Sequence, residues 1–333
     1  MIRIMIMLSI LAVIVWSGFW LFSRQTRINL VESMLMSGSD AGWSISHDAI
    51  RASGYPFRVD ITLDNLTIRN SDHGLVWHLP RLQILMLSYQ FDHIVIAFPE
   101  TQDISLNRTD YRLTTDGMKA SLTTDGAGGI LKAFIMEAGR VNLTADTIPV
   151  QEIENLLIAI RHESATPGQH RVSLSSYSDA DPPNTAILTQ RDALLARVLM
   201  GLTLDGRFTA STPLGPDACS GDGLTLHRLV VNDLAVREQN AEINLSSDIE
   251  FSQAGIPEGW IDLEVNRIRN LLELVEILGY ELGAAAGLAG QFIETLGKSL
   301  PDGGVGIRLN LSDGAARVFG LDILNVGPLR PLC

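Results

Sequence analysis

Phe57-Arg58-Val59-Asp60-Ile61-Thr62-Leu63-Asp64 is the stretch that decides the fold. Apolar and polar residues alternate without a slip. Period-two spacing puts Phe57, Val59, Ile61 and Leu63 on one face and Arg58, Asp60, Thr62 and Asp64 on the other, the pattern of a half-buried strand. Downstream, Asp64-Asn65 reads as a turn into Leu66 and Ile68. Leu75/Trp77/Leu79, Leu82/Ile84/Met86 and Ile94/Ile96/Phe98 repeat the alternation, with shorter echoes at Ile104/Leu106, Tyr111/Leu113, Met118/Ala120/Leu122, Val141/Leu143, Val172/Leu174 and Leu202/Leu204. It resumes at Leu224/Leu226, Leu234/Val236, Ile243/Leu245, Ile249/Phe251, Ile261/Leu263/Val265 and Val305/Ile307/Leu309/Leu311. Asp-Gly pairs at 116–117, 125–126, 205–206, 222–223, 302–303 and 313–314 read as hairpin turns, since glycine tolerates the positive φ a tight turn requires.

Many short strands with regular turns predict a large antiparallel sheet with one face covered and one wet. One stretch breaks the pattern. From Asn270 to Leu300, Leu271, Leu274, Val275, Leu278 and Leu282 fall at helical spacing, with Gly279, Gly283 and Gly287 four apart. Glu273, Glu276, Glu281 and Glu294 argue against a membrane span, so the reading is a helix packed on the sheet and ended by Pro301-Asp302-Gly303-Gly304. The predicted fold class is mainly β (α+β): an N-terminal transmembrane helix, then a large curved antiparallel β-sheet body with one helical segment near 270–300.

The N-terminal reading rests on Ile4 to Phe22, a run without a charge. At about 1.5 Å per residue it spans roughly 28 Å, close to the ~30 Å hydrocarbon core. Arg3 precedes it, Arg24 and Arg27 follow, and Trp16, Phe19, Trp20 and Phe22 crowd its end as an aromatic belt would. A cleaved signal peptide has a shorter apolar core and a small-x-small exit. Here the exit is Trp20-Leu21-Phe22-Ser23-Arg24, so an uncleaved anchor is expected. The division is 1–24 anchor, 25–42 connecting segment with a second short helix from Thr26 to about Met36, and 43–333 β-rich body. Ser178 to Asn184, with Pro182-Pro183, either divides two lobes or forms one long loop. The absence of a second spanning pattern in the body predicts a single-pass protein with its body outside the cytoplasm.

Of 333 residues 46% are hydrophobic and 19% charged, which excludes a disordered chain, and a formal charge of −13 argues against nucleic acid as a partner. Two cysteines exclude a disulfide framework or a Cys-based zinc module. Cys219 and Cys333 either pair in an oxidising compartment or remain free thiols.

The search for chemistry nominates no catalytic, cofactor-binding or metal residue. There is no Gly-x-Ser-x-Gly elbow. Gly297-Lys298-Ser299 resembles the end of a phosphate-binding loop, but Phe292 stands where that motif needs glycine. Among seven histidines none forms a His-x-His or His-Glu-x-x-His unit. His162 and Glu163 beside His170 could meet across a hairpin, with solvated strand-edge histidines the plainer reading. Asp179 and Asp181 precede prolines that break an EF-hand, and Asp60 with Asp64 fits an exposed polar face.

Trp43 followed by a short polar strand, then Gly54-Tyr55-Pro56-Phe57-Arg58 opening an alternating strand, Trp77-x-x-Pro80, and the ending Gly314…Gly320…Gly327-Pro328 together resemble a bacterial family. It is domain-of-unknown-function family 2125, found mainly in alphaproteobacteria. The resemblance implies envelope association and carries no catalytic residue. In architecture, one anchor followed by long sheets is similar to the AsmA-like envelope proteins, a likeness that implies an apolar groove handling lipid. The expectation is therefore a non-enzymatic membrane-anchored protein whose sheet binds lipid or another apolar ligand. The alternative is a structural or partner-binding scaffold with a closed core, and a membrane-anchored hydrolase is the third.

Overall fold

The computed structural model describes residues 2–331 apart from 38–42, 71–73, 107–108, 127–128, 146–147, 164, 178–200, 216–217, 219–222, 239–240, 266–297, 300–303, 319 and 330. Among the described residues one helix, α1 (Ile2–Ser37), leads into the strands. These are β1 (Trp43–Ser46), β2 (Ala49–Ser53), β3 (Arg58–Asn70), β4 (Leu75–Leu87), β5 (His93–Ala97), β6 (Thr101–Leu106), β7 (Thr109–Asp116), β8 (Lys119–Thr124), β9 (Leu131–Ala145) and β10 (Ile148–His162). They continue as β11 (Gln169–Tyr177), β12 (Leu202–Ala210), β13 (Leu226–Glu238), β14 (Ala241–Phe251), β15 (Pro257–Val265), β16 (Lys298–Ser299), β17 (Val305–Ser312), β18 (Ala315–Val318) and β19 (Leu321–Asn325). The body is thus mainly β, as the alternation predicts.

Among the described residues all strands join one 19-stranded sheet, and every pairing is antiparallel. The path is an up-and-down meander. β1 and β2 lie end to end along β3. β3 pairs β4, which carries β5 and β6 end to end. These pair β8 and β7, which both pair β9. From β9 to β15 each strand pairs the next in sequence. β15 pairs β17, whose other side carries β16 and β18, and β19 forms the last rank.

Several strands are longer than the sequence suggests, because the inward-facing set changes phase partway along. In β3 both Leu63 and Leu66 are buried, three residues apart, and Asn65 between them has φ 50°. Strict alternation cannot put two such residues on one face. Asp64-Asn65 is therefore no turn but a left-handed residue inside one strand, and the Asn65 side-chain amide donates to Asp48 Oδ2 at 2.6 Å. The same reset recurs across neighbouring ranks. Leu113 and Met118 flank Gly117, Ala138 and Val141 flank Gly139, and Ile153 and Leu156 flank Asn155, all within one cluster. Asp116, Arg140 and Glu154 sit in register beside those breaks. A crease therefore crosses the first half of the sheet, where a local bend re-aims the side chains.

Two Asp-Gly readings diverge. Asp313-Gly314 is a hairpin with both φ positive, as predicted. Asp205-Gly206 lies inside β12, at a register shift. A Cβ on Gly206 would stand 2.8 Å from the Val230 carbonyl oxygen, so glycine serves a close backbone approach there rather than a turn.

The predicted second helix from 26 to 36 is not separate. α1 runs unbroken, with no proline or glycine between Phe22 and Ser37 to end it, so the boundary between 1–24 and 25–42 falls inside a helix. The expectation of helix up to Leu300 is also corrected at its end, since Lys298–Ser299 forms β16 against Val305 and Gly306. The rest of that helix, the 178–184 segment, Cys219 and Cys333 lie outside the described residues.

Candidate functional site

The register brings one apolar side chain per rank into a continuous row. Ala52 pairs Ile61, which pairs Ile84, then Ile96, Ala120 and Met136. The row continues through Ile158, Leu174, Leu204, Leu234, Leu245 and Leu263 to Ile307. Neighbouring strands lie about 4.8 Å apart, so the row has a contour of roughly 60 Å. Parallel rows flank it: Leu122, Phe134, Ile160 and Val172 on one side, and Leu202, Val236, Ile243, Val265 and Val305 on the other. On any one strand at most two of these rows run side by side, about 6.8 Å apart.

The strip is closed at its first end, and its central row is half-buried between β10 and β15, while Ala120, Val265 and Ile307 are buried. At that first end α1 lays Trp20, Val31, Ile28 and Leu35 on Val59, Ile61, Leu63, Leu66 and Leu79. Trp16, Trp20, Ser23, Arg27, Val31 and Leu35 recur at three- or four-residue spacing, so they share one helix stripe. Polar members of that stripe are tied to the sheet. The Trp20 indole donates to the Arg58 carbonyl at 2.7 Å and Ser23 Oγ to the Ser88 carbonyl at 3.2 Å. Arg27 is buried and reaches the carbonyls of Leu87 at 2.6 Å, Gln90 at 3.0 Å and Ser88 at 3.4 Å, with its guanidinium 4.3 Å from the Phe91 ring centre. In the sequence Arg27 reads only as a charge flanking the apolar run. The stripe spacing was the available signal for its role. The first part of the helix, from Ile2 to Val15, is exposed and apolar, and α1 is long and apolar enough to cross a membrane.

Polar residues within the apolar layer are few and mostly satisfied. Gln102 is fully buried, accepts from the Trp77 indole at 3.1 Å and donates to the Pro99 carbonyl at 3.3 Å. His162 and His170 do meet across the β10–β11 hairpin, ring centres 5.1 Å apart, with His170 stacked on Phe208. His170 Nδ1 bonds the Gly168 carbonyl at 3.0 Å, which leaves Nε2 buried without a partner. Burial first, then the nearby His162, hold the His170 imidazole below its usual pKa. No group of three ligating side chains surrounds the pair among the described residues.

The opposite face is charged and internally paired. Asp64 pairs with Arg51 and Arg81, and Asp60 with Arg58 at 3.0 Å, which accounts for both aspartates singled out in the sequence. Arg171 holds Asp205 at 2.9 Å, Arg228 holds Asp248 at 2.7 Å, and Arg308 holds Asp262. Asp205 sits below the usual carboxylate range chiefly because the Asn232 amide donates to it, and Asp248 and Asp262 because of their arginines. Two open depressions are lined by this kind of residue, one by Asp103, Asp110 and Arg112, the other by Asp233, Asp262, Glu264 and Arg308. Asp103–Arg112 and Asp262–Arg308 are already ion pairs. Lys298 and Ser299 lie in β16, a strand setting unlike the start of a phosphate-binding helix.

Fold and site together define a helix-tethered antiparallel meander with one continuous apolar face and one ion-paired face. The chain belongs to the bacterial family described as an uncharacterized protein conserved in bacteria (DUF2125), whose model matches residues 20–329. No curated protein and no solved structure matches it, and the expected likeness to AsmA-like envelope proteins is not shown.

Proposed function

We propose that this is a non-enzymatic, single-pass protein of the bacterial inner membrane whose periplasmic sheet binds lipid acyl chains along its apolar face. The observation that carries the reading is the unbroken apolar row from Ala52 to Ile307. Its members between β10 and β15 are half-buried, so an acyl chain laid across them removes further apolar surface from water at about 25 cal/mol per Å². The polar face supports a binding rather than a chemical role, because its carboxylates are engaged in cross-strand ion pairs. The test is photolabelling of the full chain in membranes with a diazirine fatty acid incorporated into phospholipid. Labelled peptides should fall in β11–β15, and Leu204→Asp should cut that labelling at least several-fold while β3 peptides are unaffected. Labelling confined to α1 would overturn the reading.

A partner-binding scaffold is the second reading, favoured by β19. All five of its residues are exposed, Leu321, Ile323 and Leu324 among them, and its outer edge pairs with no strand among the described residues. Crosslinking from Ile323 in intact envelopes to a second protein, with no lipid on β11–β15, would favour that reading.

A further inference from the structure

We propose that turn 54–57 and loop 88–92 form a wedge seated in the bilayer interface beside the anchor, so that the sheet is planted in the leaflet rather than hung from it. The partner is the phospholipid surface itself, and the seat does not depend on what the apolar face carries.

Depth is the first argument. The uncharged run ends at Phe22, which fixes the hydrocarbon boundary. Trp16 lies six residues further in, about 9 Å at 1.5 Å per residue. Turn 54–57 is fastened at that level. The Trp16 indole donates to the Pro56 carbonyl at 3.0 Å and its ring sits 5.9 Å from that of Phe57. Ser17 Oγ and the Tyr55 hydroxyl share a hydrogen bond of 2.9 Å. The turn therefore reaches as deep as interfacial elements usually do, about 5–10 Å.

Side chains and backbone both suit that depth. Tyr55 is 52% exposed and Phe57 59% exposed, although each touches the helix. Three of the four carbonyls of the turn are satisfied without water, Gly54 by the Arg58 amide at 2.8 Å, Pro56 by Trp16 and Phe57 by the Ser88 amide at 2.8 Å, and the adjoining Arg58 carbonyl is satisfied by Trp20. Pro56 has no N–H to satisfy. Internal satisfaction is what an apolar medium demands of irregular backbone. Gly54, at φ 102°, permits the tight reversal, since a Cβ there would stand 2.9 Å from Arg58 Cβ.

The second loop sits higher. Arg27, which holds its carbonyls, is five residues past Phe22, about 7.5 Å outside the boundary and level with the headgroups. Tyr89 and Phe91 are 57% and 61% exposed there. Aromatic side chains at two depths around one emerging helix match the preference of Tyr and Trp-like rings for the membrane–water interface.

The test uses the full chain with Cys219→Ser and Cys333→Ser in nanodiscs of phosphatidylethanolamine and phosphatidylglycerol. Nitroxide labels are placed singly at Phe57→Cys, Phe91→Cys and, at the opposite strand ends, Asp110→Cys. The label at 57 should be relaxed several-fold more by oxygen than by a water-soluble nickel chelate, the label at 91 about equally, and the label at 110 mainly by nickel. Tyr55→Cys repeats the measurement from the other side of Pro56, in case the Phe57 variant is misfolded by circular dichroism. Nickel accessibility at 55 or 57 equal to that at 110 would overturn the proposal.

Discussion

Two regions of the same apolar face differ in cover alone. Beneath α1, Val59 and Ile61 are wholly buried and Leu63, Leu66 and Leu79 nearly so. Along the same row Ile158, Leu174, Leu204 and Leu234 are half-buried. Side-chain chemistry and register are shared. The difference teaches that alternation assigns a residue to a face, whereas an element lying on that face makes it a core. Full burial of a Leu or Ile is worth roughly 1.5–3 kcal/mol. At the anchored end that stabilisation is realised in full, and in the middle only in part.

The largest expected effect separates the two regions directly. Ile61→Ala should destabilise the folded body by about 2–5 kcal/mol, the usual range for a closed core site. Ile158→Ala, on the same row, should cost about 1 kcal/mol. Urea titration of the full chain in a mild detergent measures both. Equal losses would mean that the middle is as closed as the anchored end, and the comparison would fail.

Next in size is the clamp that fixes the cover in place. Arg27→Met keeps the aliphatic stem but removes the donors to the Leu87, Ser88 and Gln90 carbonyls. Leaving buried acceptors unpaired costs about 1–3 kcal/mol. Hydrogen exchange in loop 88–92 should rise while β13–β15 remain unchanged. Arg27→Lys should restore little, because an ammonium lacks the planar fork that reaches several carbonyls at once. Unchanged exchange in that loop would show that apolar contact alone holds the helix down.

Much of this was legible in the residues, and the failures have physical causes. Phe57 to Leu63 announces its strand because a period-two pattern has one interpretation over that length. A phase reset does not. Leu63 and Leu66 are three apart, which a turn between two strands and a left-handed Asn65 within one strand both produce. Which occurs depends on whether β4 pairs through the break, as it does from Leu63↔Leu82 to Leu66↔Leu79, and pairing is not a local property. Gly206 misleads for a related reason: Asp-Gly suits a hairpin, but Val230 across the ladder requires the glycine. The candidate surface was legible as alternation strand by strand. Its continuity from Ala52 to Ile307 was not, because a single-residue shift at any of those pairings would break the row.

The smallest expected effect lies on the opposite face. Arg228 meets Asp248 through two hydrogen bonds, 2.9 and 2.7 Å, and stands 3.6 Å from Glu250, yet its side chain is half exposed to solvent. Exposed pairs contribute about 0–1 kcal/mol, because solvent screens them and two long side chains must be held still. Arg228→Gln should therefore lower stability at pH 7 by no more than about 1 kcal/mol. The pH dependence has a definite sign. Arg228 holds the Asp248 carboxyl below its usual range, so the pair's contribution is present above the unfolded carboxylate pKa near 4 and disappears as pH falls through the lower folded value. Parent and variant melting temperatures should accordingly differ slightly at pH 7 and converge toward pH 3, and added salt should shrink the gap at pH 7. A loss comparable to that of Ile61→Ala would mean that the charged face, and not the apolar one, holds the sheet together.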